Sequence, residues 1–377
     1  MRRANPVAIV AIAGALMAVG SVMTVSAAAA NTDRAILGWA FWEYPAVRQL
    51  VFVAGGLCAM LVMMAIPYRL WAAGRGFLSK VVLGIAVLAC AAVLVPGVGV
   101  EVNGARRWLQ FGPSSFGLRL QASELVKIAM PIFLACWLTV GTDIRLFWRG
   151  FVPAIGALGL GVGIVGIEDF GTAALIMGVG GCLLVVGGAR WLHLSMLVVP
   201  TILAFGALLF SKSNRIERLL TFMDIWRDPE GSGYQVIQSL CTIANGGWWG
   251  AGVGQGFVKG YLPEARNDFI FAVICEELGV IGAVGVIALL IALIWQGRKS
   301  SLYCSDPMGR LLALGITLTI GLQAAMNIAV VTVSVPTKGI SLPLVSAGGS
   351  GAVFLGAFVG ILANIARHAD REQATPD

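Results

Sequence analysis

The chain has 377 residues, 58% hydrophobic and 12% charged, with a formal net charge of +7. An average soluble domain carries roughly 25% charged residues, and no soluble fold of this size has core enough to hide so much apolar side chain. Most of this surface must face lipid, and the basic excess suits anionic headgroups without calling for a nucleic-acid partner.

A bilayer core needs about 20 mainly apolar residues per helix. In chain order the sequence offers ten such stretches, at about 6–27, 47–66, 79–97, 122–140, 150–167, 171–188, 192–210, 269–296, 309–333 and 350–366. The expected fold is all-α, a polytopic membrane protein of about ten transmembrane helices forming one integral domain over 1–377. A large loop, 211–268, separates spans seven and eight, and a tail occupies 367–377. The first stretch follows Met1-Arg2-Arg3 and has the look of a signal peptide. Another span begins soon after Ala27–Ala30, so an uncleaved signal anchor is expected. No internal repeat supports an inverted-repeat transporter architecture.

Ten spans put both termini on one side. The 26 Lys and Arg divide 13 to 13 between the two sides. Those on the terminal side lie in shorter loops and hug helix ends, as Arg69, Arg75, Lys80, Arg298 and Lys299 do, so the termini are expected in the cytoplasm. Of 19 carboxylates, 14 fall on the opposite, extracytoplasmic side. Three polar segments stand there: Gly97–Gln121, Ser211–Asp268 and Ser334–Gly349. The long one mixes charge with Gly and Trp, and Ile216–Trp226 has helical spacing of apolar residues. Seven scattered cysteines without a CxxC, and only 2 His, suggest no zinc or redox site.

The chemistry concentrates in Gly252–Gly282, where a glycine-rich loop leads through Lys259 to Tyr261-Leu262-Pro263-Glu264, then Arg266-Asn267-Asp268 and a span. Asp268 stands at the entry to the bilayer. Its plainer reading is an N-cap on a helix starting at Phe269. Its functional reading is a general base, because a carboxylate near low dielectric has a raised pKa. Lys259 and Arg266 would hold phosphate, and they also oppose that rise. Glu276 and Glu277 lie roughly 12 Å deeper, Glu276 about 80° round the helix from Asp268 and Glu277 on the opposite face. At most one of them shares the Asp268 cavity.

Arg106-Arg107-Trp108 reads either as a headgroup anchor or as a diphosphate clamp. Glu124 and Lys127 are spaced to pair on one helix face. Asp169 follows Glu168 in a break between spans, and Lys338 and Ser346 sit in a turn-rich segment near the bilayer, where irregular backbone is tolerated if it lines a polar cavity. Four polar motifs on one membrane face suggest a single site.

These motifs, NGARRW, SELVK, DFGT, RIERLLTFMDIWRDPEGSGYQVIQSL, YLPEARNDFIFAVICEELG and PTKGISLP, resemble in order those of the SEDS family (shape, elongation, division and sporulation proteins), over about Asn103 to Asn364. The RIERLLTF run and PTKG lean towards its FtsW branch. The resemblance implies a peptidoglycan glycosyltransferase polymerising lipid II outside the membrane, in septal synthesis, with Asp268 as the catalytic carboxylate. The expected substrate-binding residues, from their charge and their convergence on one face, are Lys259, Arg106, Arg107, Glu124, Lys127, Asp169, Arg266, Lys338, Ser346 and Glu276. Partners would be lipid II, a class B penicillin-binding protein and other divisome membrane proteins. The one cofactor the chemistry leaves room for is a divalent cation, Mg or Mn, which would help neutralise the leaving diphosphate. The sequence departs from the family pattern at Ala122, Glu168, Gly256, Ala347 and Gly351. A lipid II flippase or a non-catalytic divisome scaffold stand as the competing readings.

Overall fold

The computed structural model describes residues 4–29, 44–102, 105–111, 118–141, 143–347 and 349–374. Met1–Arg3, Ala30, the Asn103 and Gly104 of NGARRW and the last three residues of the 367–377 tail lie outside them. In lipid a backbone must satisfy its hydrogen bonds internally, and apolar stretches of this length do so as helices. The helices are α1 (Pro6–Ala29), α2 (Pro45–Ala65), α3 (Ala73–Leu94), α4 (Ala122–Thr139), α5 (Val152–Glu168), α6 (Phe170–Val186), α7 (Trp191–Phe210), α8 (Ser213–Met223), α9 (Tyr234–Gly246), α10 (Ile270–Tyr303), α11 (Pro307–Val331) and α12 (Ser350–Ala374). Among the described residues nine helices are long and apolar enough to cross a membrane, and the 17-residue α6 packs among them. This is a multi-pass, helical membrane fold.

Contacts between helix ends fix an alternating path. The Asn364 side chain of α12 accepts from Tyr68 N–H at 3.0 Å and donates to Met64 O at 2.7 Å, so α2 ends and α3 begins beside the later half of α12. Trp71 O accepts from Cys136 Sγ near the end of α4, and Gly150 O, just before α5, accepts from Trp137 at 2.9 Å. The ends of α1, α3 and α5 and the starts of α4, α6 and α10 gather at the other face, with Asp268. Asn5 N–H meets Gln296 near the far end of α10, so both described chain ends lie opposite Asp268.

Two features depart from the expected all-helical pattern. A three-stranded antiparallel sheet, β1 (Gly99–Val102), β2 (Ala105–Phe111) and β3 (Leu118–Gln121), occupies the first polar segment. It sets Trp108 opposite both Val100 and Gln121. The long α10 runs on to Tyr303 and is broken at Gly279 (φ 67°). There the loop after α9 docks on the helix backbone: Ala251 N–H donates to Glu276 O (2.8 Å) and Val280 N–H to Gly247 O (3.0 Å). A side chain at Gly279 would collide with Trp248 O and Gly250 N.

Candidate active site

Asp268 closes the loop that leads into α10. The helix begins at Ile270, and its capping position is Phe269, with no side-chain cap bond. Asp268 is therefore not spent on capping, and among the described residues no hydrogen bond or ion pair engages its carboxyl oxygens. Its backbone is tightly held. Asn327, buried in α11, donates to Asp268 O and to Ile340 O, each at 2.7 Å. Ser346 Oγ donates to Asn267 O at 2.7 Å and accepts from Leu342 N–H, while Ala347 N–H reaches Arg266 O at 2.9 Å. The 338–347 segment is thus stitched to residues 266–268, so the two motifs act as one rigid wall.

The carboxylate faces a narrow gap floored by Gly339. A Cβ built on Gly339 would lie 3.1 Å from Asp268 Oδ2 and 3.6 Å from Arg107 Nη1. Arg107 is aimed there by a 3.0 Å bond from its Nε to Glu168 O, at the end of α5. Asp169 follows as the cap of α6, accepting from Thr172 N–H and Oγ1 (3.0 and 2.8 Å), from Ser123 Oγ (3.3 Å) and from Gln121 (3.4 Å). Lys338 lies over the Phe170 ring at 4.9 Å.

Electrostatics mark Asp268 further. Burial among protein atoms pushes its pKa up to about 7, and the negative charges of Glu264 and Asp169 add to the rise. Arg107 and Arg218 pull the other way but do not prevail. The side chain nevertheless keeps partial access to solvent. A carboxylate half-ionised near neutral pH is suited to taking a proton. Lys338 has its pKa lowered by desolvation, with Asp169 opposing. The guanidinium groups of Arg107 and Arg218 feel one another's charge as well as that of Asp268, which makes an anion beside them favourable.

The expected site residues do not all meet at one place. Asp268, Arg107, Asp169 and Lys338 come together, and Arg266 lines an adjoining hollow of about 320 Å³ with Tyr261, Pro263 and Glu264. Glu124 and Lys127 form a buried pair (2.6 Å), extended by Lys127 to Gln323 (2.8 Å) and by Gln323 to Ser341 O (2.9 Å). Ser346 serves the backbone stitching. The Arg106 side chain turns to Glu101 (3.3 Å) on the neighbouring strand rather than to Asp268.

Lys259 and Glu276 need correction. Lys259 is 1% exposed, its ammonium pairs with Glu277, and it donates to Ser26 Oγ at 2.8 Å. Glu276 is wholly buried and accepts from Asn245 (2.9 Å), Val258 N–H (2.8 Å) and Lys259 N–H (3.0 Å). Both groups clamp the glycine-rich loop onto broken α10, so Lys259 has no spare charge to offer a phosphate and neither glutamate opens into the Asp268 gap. Among the described residues no three His, Cys, Asp or Glu side chains gather as metal ligands. Sequence reasoning missed Arg218, Asn327 and Gly339. Arg218 stood inside the quoted RIERLLTF motif, whereas Asn327 is one polar residue in an apolar run.

Comparisons with known proteins fit this geometry. The FtsW/RodA/SpoVE family, described as "Cell cycle protein", matches residues 7–371. Stage V sporulation protein E of Bacillus subtilis is 38% identical over 94% of this chain and 94% of its own. A probable peptidoglycan glycosyltransferase FtsW of Thioalkalivibrio is 35% identical over the whole chain and 94% of its own. Among solved structures, a chain of a peptidoglycan synthase complex that coordinates polymerization and crosslinking superposes with TM-score 0.74 at 29% identity, covering 96% of this chain and 97% of that one. Thermus thermophilus RodA superposes with TM-score 0.66 at 26% identity over 95% of both chains. The order of the spans, the motifs that converge on Asp268 and these likenesses agree, and the chain belongs to the FtsW/RodA/SpoVE family.

Proposed function

We propose that this protein is a peptidoglycan glycosyltransferase that polymerises lipid II into β-1,4 glycan strands, with Asp268 as its general base. What supports the reading is the geometry: among the described residues no hydrogen bond or ion pair engages the Asp268 carboxylate, which stands across Gly339 from Arg107, and burial raises its pKa to about 7. The Asp268 carboxylate takes the proton of the GlcNAc 4-hydroxyl of the acceptor as that oxygen bonds to MurNAc C1 of the donor. The C1–O bond to the diphosphate breaks on the opposite face, which inverts the centre, and undecaprenyl diphosphate leaves with the bonding pair. Arg107 and Arg218 are the described cations best placed to meet its charge, the larger part of the barrier in such a transfer. A divalent cation, if bound with the substrate, would add positive charge against the leaving diphosphate.

The Asp268 face is assigned to the extracytoplasmic side and the termini to the cytoplasm. Supporting this, Arg75, Lys80, Arg298 and Lys299 crowd helix ends at the terminal face. The likeness to a synthase complex supports a crosslinking partner such as a class B penicillin-binding protein. The test uses the purified wild type and Asp268→Ala, each with and without that partner, incubated with lipid II. Polymer from the wild type alone supports the reading, and equal polymer from both removes Asp268 as base. Polymer from neither favours the flippase or scaffold.

A further inference from the structure

A cavity of about 360 Å³ opens at the end of the bundle opposite Asp268, between the start of α3 and the end of α4. Its walls include Arg75, Gly76, Ser79 and Lys80 from one helix and Cys136 and Trp137 from the other, and no acidic side chain is among the described lining residues. The walls are firmly built. Trp137 is oriented by its bond to Gly150 O (2.9 Å), and Lys80 lies over its ring at 5.6 Å. Gly74, Arg75 and Gly76 form a left-handed turn (φ 58°, 56° and 73°), and Ser79 Oγ donates to Gly76 O at 2.8 Å to close it. Arg75 is thus held in a conformation non-glycine residues seldom adopt, a cost that recurs where a side chain must be aimed.

A second observation defines what enters. On the adjoining face of α3, Phe77, Val81, Ile85 and Leu88 are all exposed, Phe77 and Leu88 at 67% and 69%. At spacings of three and four residues they make one apolar stripe running from the cavity mouth into the bilayer. Two cations with no ion-pair partner among the described residues, at one end of a lipid-facing stripe, match an anionic head with attached acyl chains, and bilayer anions concentrate at such a junction. We propose that this cavity binds the phosphate-bearing headgroup of an anionic phospholipid, with its acyl chains along the α3 stripe. The site is separate from the glycosyl-transfer centre and does not depend on that assignment.

The test is native mass spectrometry of the full-length protein in detergent, titrated separately with dioleoyl phosphatidylglycerol, dioleoyl phosphatidylcholine and glycerol phosphate. Wild type should bind phosphatidylglycerol saturably and in preference to the zwitterionic lipid. The double variant Arg75→Gln/Lys80→Gln should bind it roughly 10- to 30-fold more weakly. Arg298→Gln/Lys299→Gln removes two cations that lie over Trp295 and are not among the residues lining this cavity, and it should bind as wild type does. If the first double variant fails to fold, Lys80→Gln alone, at an exposed side chain, should lose about fivefold. Equal binding of the two lipids, or equal losses in both double variants, would overturn the proposal. Glycerol phosphate binding as tightly as the lipid would also overturn it, by assigning the cavity to a soluble phosphate.

Discussion

Asn327 and Asp268 are joined through the backbone: the buried amide of Asn327 donates at 2.7 Å to Asp268 O and, equally, to Ile340 O. One side chain in a membrane helix thereby sets the separation of the base-bearing loop and the glycine-bearing loop. Asn327→Ala leaves two carbonyls without that donor, at a cost of about 1–3 kcal/mol each. The melting temperature should fall, and polymerisation per folded molecule should fall as well. An unchanged rate in the folded fraction would show that the coupling is structural only.

Gly339→Ala tests the gap itself. The added methyl would sit 3.1 Å from Asp268 Oδ2 and 3.6 Å from Arg107, where a reacting hydroxyl and its diphosphate partner must pass. Turnover should drop on the order of 10- to 100-fold, with the melting temperature within a degree or two of wild type. Steady-state polymerisation beside a thermal melt separates the two effects.

The pH dependence has a defined sign. Asp268 is raised from 3.8 to about 7, so the base form gains population as pH climbs through 7, and the rate should rise and level off above it. The same shift makes the carboxyl a stability liability. Because folding disfavours its ionised form, stability is lost as pH rises from about 4 through 7. Asp268→Asn should therefore melt above wild type at pH 8 and close to it at pH 4. A melt series at the two pH values checks this.

Arg107→Gln removes a positive charge that holds the Asp268 pKa down. The pH–rate limb should move upward, and the plateau should fall by about 100-fold through the lost stabilisation of the leaving group. A fall in the plateau with no movement of the limb would separate the guanidinium from the base.

Lys259 offers the contrasting case. Lys259→Met strands Glu277 in a buried setting, a loss of about 3–5 kcal/mol. The melting temperature should drop sharply, with little change in KM for lipid II among folded molecules. A raised KM at unchanged stability would return this lysine to the substrate.

Much of this was legible in the residues. Apolar runs of about 20 residues placed the helices, and clustered motifs brought Asp268, Arg107, Asp169 and Lys338 to one face. What escaped was partner choice at close quarters. In sequence Lys259 is a cation nine residues before Asp268, and nothing there shows that its loop folds back onto a break at Gly279. The helical wheel placed Glu276 near the Asp268 side, but it could not show that Asn245 and two loop amides already occupy its oxygens. For the sheet the sequence holds one signal, Asn103-Gly104 between two short runs rich in Val, Trp and Leu, a frequent hairpin pairing.

Lipid II binding and glycan polymerisation, measured on the same preparation of Asp268→Asn, decide whether Asp268 is the base. The variant should fold, bind lipid II much as wild type does and polymerise at least about 100-fold more slowly. Polymerisation by that variant at the wild-type rate would contradict that role.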